Sequence, residues 1–243
     1  PRSYQSSGSE DKSVGYWRAF QLAFGLMNVP SFVDGEREYR DLVDVIWFPT
    51  GGGKTEAYLF LFAYVIFMRR MLRPNDAGCA ALMRYTLRLL TAQQFQRASS
   101  LVCACEHIRK RERLDGARIT VGLWVGDRLT RNRRSDALKD VGDLKNRKGK
   151  NLFQLRKCPW CGTALDEPDK LGYKTKRVGG GSNAKTVKFI CPRDECEFNS
   201  DTNSLPVLVI DDDIYHAPPS LLIGTVDKFA LLAWNRKSRS IFT

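Results

Sequence analysis

The residues predict an α/β fold: a parallel sheet flanked by helices, with a small cysteine-held ribbon inserted in it. Short apolar runs of β type at residues 43–48, 79–83 and 119–125 alternate with helical stretches at 54–71 and 84–113, the rhythm of strands joined by crossover helices. A triglycine turn stands between the first strand and its helix. Two close cysteine pairs, Cys158 with Cys161 and Cys191 with Cys196, mark the insert.

With 243 residues, 43% of them apolar, the chain can bury the core of one large domain or two small ones. The organisation expected is a flexible polar start over 1–15, the first part of the main domain over 16–150, the ribbon over 151–200, and the main domain continued but incomplete over 201–243. Thirty-nine Lys and Arg against 27 Asp and Glu leave a net charge of +12. That favours a polyanionic partner, nucleic acid being the simplest, although a basic surface also serves solubility. No apolar stretch reaches the roughly 20 residues of a membrane span, and no signal-peptide pattern opens the chain, so a cytoplasmic protein without membrane contact is expected. Seven cysteines, four of them in two close pairs, fit metal ligation in a reducing compartment better than disulfides. Cys79, Cys103 and Cys105 read as buried thiols.

Residues 16–27 place Trp17, Phe20, Leu22, Phe24 and Leu26 among polar neighbours and end before Pro30, a short amphipathic helix that contains Gln21. The run 43–48 is the strand leading into the turn. There Gly51, Gly52 and Gly53 permit positive φ and let backbone N–H groups converge on an anion with no Cβ in the way. The following helix points its N-terminus at the same spot. Such a loop suits ATP with Mg2+: Thr50 and the glycines wrap the phosphates, Lys54 reaches the β- and γ-phosphates, and Thr55 holds the Mg2+, which makes Lys54 and Thr55 the catalytic candidates. The general phosphate-loop pattern carries a glycine five residues before Gly53, where this chain has Phe48.

Residues 73–78 form a turn cluster, 79–83 a second buried strand, and 84–113 a long helix with a basic end suited to a helix C-terminus. A third strand follows at 119–125. Between 127 and 150 the chain is strongly charged with few large apolar residues, and reads either as a phosphate-backbone contact or as a mobile surface loop. Cys158-Pro159-Trp160-Cys161-Gly162 then has the form of a zinc knuckle, with Gly162 relieving the backbone after the second thiolate. Cys191 and Cys196, after a glycine-rich turn and a β-type run at 186–190, supply the other half of a four-sulfur Zn2+ site with no open position, hence structural. The lysines of the ribbon suit either nucleic acid or plain solvation.

The string Pro49-Thr50-Gly51-Gly52-Gly53-Lys54-Thr55 resembles motif I of superfamily 2 helicases and translocases. These motors often place an adenine-reading glutamine shortly before the loop, the position of Gln21, which reads alternatively as a solvent-facing helix residue. Their motif Ia contacts the nucleic-acid backbone, which implies Thr86, Arg88 and Gln93. Residues 219–229 resemble motif Ic, a second backbone contact, which implies Thr225 and Lys228. Since the acidic box follows motif Ic in these proteins, the run 205–213, although it ends in Asp211-Asp212-Asp213, is a decoy for the Mg2+ carboxylate. The acidic box and a second RecA-like domain are expected beyond residue 243, so the fragment alone should turn over ATP poorly.

Taken together, FPTGGGKTEAY, MRYTLRLLTAQQFQRA, CPWCG and LPVLVIDDDIYHAPPSLLIGTVDKFA resemble helicase-like proteins of the DISARM anti-phage defence system over most of residues 16–235. The resemblance implies a RecA-like sheet, ATP-dependent DNA binding or translocation, and a companion DISARM subunit. The competing reading is a nucleic-acid-binding zinc-ribbon module without ATPase activity.

Overall fold

The computed structural model describes residues 16–32, 41–47, 53–86, 88–178, 184–230, 232 and 234–242, without the side chains of 88–90. Four parallel strands form the main sheet: β1 (Ala81–Tyr85), β2 (Val121–Trp124), β5 (Val207–Leu208) and β6 (Leu221–Thr225), in the order β1-β6-β2-β5. Val121 lies opposite both Leu221 and Val207, so β2 and β6 are the inner strands. Both are apolar along their length, as strands covered on two faces must be. Leu123, Leu221 and Ile223 face one helical layer, where α2 (Lys54–Leu72) contributes Phe62 and Ile66 and α3 (Arg88–Arg111) contributes Phe95, Ala98 and Val102. Trp124 and Leu222 face the other, against Ile214 of α5 (Asp211–His216), Phe229 of α6 (Val226–Ala230) and Ile241 of a 3-10 turn over Arg236–Ile241.

Two of the buried charged side chains tie elements together through the bonds they make. Glu106, fully buried, takes a two-pronged bond from Arg109 at 2.8 and 2.9 Å and the Ile119 amide at 3.0 Å, which ties α3 to the strand that follows. Arg70, 2% exposed, donates to the carbonyls of Ala117 and Asp76. Removing one partner from such a buried group costs roughly 3–5 kcal/mol.

The ribbon is the antiparallel hairpin β3 (Tyr173–Arg177) and β4 (Lys185–Phe189), with Phe153, Tyr173 and Phe189 stacked at its base. Its core is continuous with that of the sheet. Trp160 rests on His107 of α3, their rings 5.1 Å apart, and Lys110 bonds Asn203. The helix α4 (Arg134–Lys145) packs on this hairpin through Ala137 and Val141.

Several elements differ from the sequence reading. Residues 42–47 form no strand, and Val43, Val45 and Trp47 are 80% or more exposed. An apolar run becomes a strand only where a neighbour supplies the ladder, and no described strand lies against it. The second strand lies two residues later than expected, at Ala81–Tyr85, because its register is set by Leu221–Thr225; α3 therefore begins at Arg88 rather than at 84. The charged segment 127–150 holds α4 instead of a plain loop. Leu221–Thr225, read only for its motif, is an inner strand. The first fifteen residues lie outside the described ones. Among the described residues no helix is long and apolar enough to cross a membrane.

Candidate functional site

Of the phosphate-loop candidates, Thr50, Gly51 and Gly52 lie outside the described residues, whereas Gly53, Lys54 and Thr55 are described. Gly53 caps α2 in the left-handed region, φ +89°, and Lys54 and Thr55 are the first residues of that 19-residue helix. Their backbone N–H groups belong to the first turn, where helix donors have no partner within the helix, so the positive end of the helix dipole opens at Gly53.

Gln21 sits in the first turn of α1 (Ala19–Asn28), 5% exposed, and is not the solvent-facing residue of the alternative reading. Its side chain bridges two elements: Oε1 accepts from the Arg18 amide and Nε2 donates to the Gly53 carbonyl, both at 2.8 Å. The backbone angle favours glycine at residue 53, and a Cβ there would also stand 2.5 Å from Gln21 Nε2, so that side chain would have to shift. Beside them opens a cleft of about 700 Å3, lined by Trp17, Gln21, Gly53, Glu56, Phe60 and Arg97 among others. Glu56 in the first turn of α2 pairs with Arg97 of α3 at the cleft, an ion pair that sequence reasoning missed. Its only sequence signal is an acid two residues after the motif lysine.

The metal candidates come together. Within residues 158–163, Gly162 takes φ +81° and its N–H bonds the Cys158 carbonyl at 2.9 Å, the tight turn of the predicted knuckle. On the facing turn the Cys196 N–H bonds the Arg193 carbonyl at 3.1 Å. The sulfurs of Cys158, Cys161, Cys191 and Cys196 all lie within 4.8 Å of one another, with Cys161 and Cys191 3.5 Å apart and Cys158 and Cys196 3.9 Å apart. Zinc–sulfur bonds of about 2.3 Å in a tetrahedron require sulfurs about 3.8 Å apart, so four thiolates in this arrangement fit Zn2+. Hydrogen bonding from Cys158 holds the Cys196 thiol well below the ordinary thiol range, and burial raises that of Cys191. The other three cysteines lie outside this cluster, and burial pushes Cys79 up to about 11 and Cys105 up to about 12, and raises Cys103 as well.

The nucleic-acid candidates follow strands at the carboxyl edge of the sheet. Thr86, just after β1, and Gln93, on α3, are exposed; Arg88 opens α3, its side chain outside the description. Thr225, the last residue of β6, and Lys228, on α6, are turned inward at 2% and 6% exposure. Lys228 Nζ donates to Asp211 Oδ2 at 2.5 Å and to Asn132 at 3.0 Å. Burial raises the Asp211 carboxyl against the pull of Lys228. Trp124 Nε1 donates to Tyr215, whose hydroxyl donates to Asp211 at 3.3 Å, which completes a cluster that no spacing in the chain announces. Asp211 opens α5 and lines a different cleft from Gly53.

With this geometry in view, likeness to known proteins adds a family context. The chain is 38% identical over 241 residues, 93% of its own length, to the DISARM protein DrmA of Bacillus paralicheniformis, and spans 21% of that protein. No family model matches it. The chain is thus DrmA-like, as the motif strings suggested, and corresponds to about a fifth of the relative.

Proposed function

We propose that this chain is the nucleotide-binding part of a superfamily 2 DNA motor that serves DISARM-type anti-phage defence. The observation that carries the reading is the joint at Gly53: a left-handed glycine capping a long helix, followed at once by Lys54 and Thr55, and tied by Gln21 to a neighbouring helix beside an open cleft. DrmA-likeness supports the defence setting.

In this reading Thr50, Gly51, Gly52 and Gly53 wrap the triphosphate of ATP, and the first-turn amides of α2 receive its anionic oxygens. Lys54 neutralises the β- and γ-phosphates, and Thr55 is the Mg2+ ligand. Gln21 is a positioning residue in the absence of nucleotide, and its amide becomes available to adenine when the loop closes on the phosphates. DNA lies along the carboxyl edge of the sheet on Thr86, Arg88 and Gln93, while Thr225 and Lys228 shape that edge from beneath. A bound Zn2+ holds the ribbon rather than doing chemistry. The acidic carboxylate and transition-state arginines come from other parts of the full-length protein, whose partner is a companion DISARM subunit.

The test is Lys54→Ala in the full-length protein, measured as DNA-stimulated ATP hydrolysis. Hydrolysis should fall at least a hundredfold, roughly what loss of one preorganised charge-stabilising group costs, with an unchanged unfolding midpoint. Retained hydrolysis would reject the assignment. The competing zinc-ribbon module has its own support in Lys174, Arg177, Lys185 and Lys188, all exposed on the hairpin. DNA affinity that ignores nucleotide and Lys54 but falls on their neutralisation would favour it.

A further inference from the structure

Three parts of the chain are covered on one side only. The strand β1 ends the sheet: it pairs with β6 over all five residues, Ala81–Tyr85, and with no other described strand. Proline, lysine and bulges keep a bare edge from pairing, and apart from the exposed Arg84 this edge has none of them, while Leu82 stands 42% exposed. The helix α2 carries no charge from Ala57 to Met68 and is apolar all round, the composition of a helix enclosed on every side. Its main packing partners are α3 and α1 rather than any strand, and Leu61, Val65 and Met68 stay half-buried. Residues 42–47, which precede α2, place Val43, Val45 and Trp47 in the alternation of a strand and leave all three in water. Between this run and the helix, lined by Leu42 and Asp44 on one side and Val65, Met68 and Leu72 on the other, opens a cleft of about 470 Å3.

One added element completes all three. A run that passes through a helix into a strand makes the right-handed crossover of a parallel sheet, which sets 42–47 parallel to β1 with α2 covering both. The longer stretches of this chain outside the described residues, 1–15, 33–40, 48–52 and 179–183, are polar or glycine-rich and hold no apolar run of strand length. We propose that one further parallel strand, from a part of the full-length protein outside this chain, seats on the free edge of β1 and packs on α2, and that residues 42–47 pair with its far side. The chain spans 21% of its DrmA relative, so most of the longer protein is available to supply it. Flanked by strands on both edges and covered by α2, the incoming segment is a near-continuous apolar run of roughly five residues, the length of β1. Neither nucleotide nor DNA enters this assignment.

The experiment follows amide hydrogen exchange residue by residue in the full-length protein. Every amide of Ala81–Tyr85, the set turned away from β6 as well as the set bonded to it, should exchange at least about a hundredfold slower than in an unfolded chain, and alternate amides of 42–47 should share that protection. Successive amides of a strand point to opposite edges, so of Asp44→Pro and Val45→Pro one must strike a ladder donor. That variant should lower the unfolding midpoint, and the other should be milder. Should a proline variant fail to fold, the exchange pattern of the native protein still decides. Fast exchange of the outward amides of β1 overturns the proposal, as does a protected β1 beside a freely exchanging 42–47, or tolerance of both prolines. Protection that vanishes on dilution as a dimer dissociates assigns the edge to a second copy of the chain and also overturns it. Protection in a full-length protein that hydrolyses no ATP keeps the added strand and rejects the motor reading.

Discussion

Gly53 carries two constraints at once, a backbone angle of φ +89° and the Gln21 amide packed where a side chain would begin. Gly53→Ala therefore meets both strain and collision. We expect a loss of about 1–2 kcal/mol in denaturant unfolding, the usual cost of a left-handed non-glycine residue, and weaker nucleotide binding than the fold loss explains. An alanine variant as stable as the native protein would show that the turn is not held as described. This part of the site was legible in the chain because glycine, lysine and threonine each have a local physical reason to stand in that order. The engagement of Gln21 was not, since it depends on a carbonyl 32 residues away. Likewise the sequence offered Lys228 as a backbone contact and Asp211 as a decoy carboxylate, with no sign that the two pair, because only the crossover between β5 and β6 buries them against one another.

At the scale of elements, α2 and the zinc knuckle were legible because their signals are contiguous. The helix α4 was not, since its stripe of Ala137, Val141 and Leu144 is thin among charged neighbours and gains a surface to cover only after the hairpin forms. The hairpin in turn depends on four sulfurs that repel as thiolates unless a cation or protons stand between them. Removing the metal should therefore disturb more than the ribbon. Exhaustive chelation is expected to quench or shift the fluorescence of Trp160, which packs between Phe198 and His107, and to lower the unfolding temperature of the whole chain. Loss of the ribbon signal with an unchanged main transition would mean that the continuous core does not couple the two.

For the molecule as a whole, a charge of +12 sets how association responds to salt. Each phosphate neutralised should contribute about −0.7 to the slope of log affinity against log salt on a single strand, and about −0.9 on a duplex. Neutralising Arg88 should remove roughly one such contribution while leaving the remainder. Affinity that does not move with salt would mean that the basic surface only keeps the protein dissolved.

The helix α3 begins beside the end of β1, and near its other end it carries the His107 and Lys110 contacts to the ribbon. Its 24 residues make a strut about 36 Å long. Tilting such a strut by about 5° carries its far tip through about 3 Å, the span of one hydrogen bond. Whatever grips the cysteine knot thus holds the long arm of a lever whose short movement re-aims the side chains that follow the first strand.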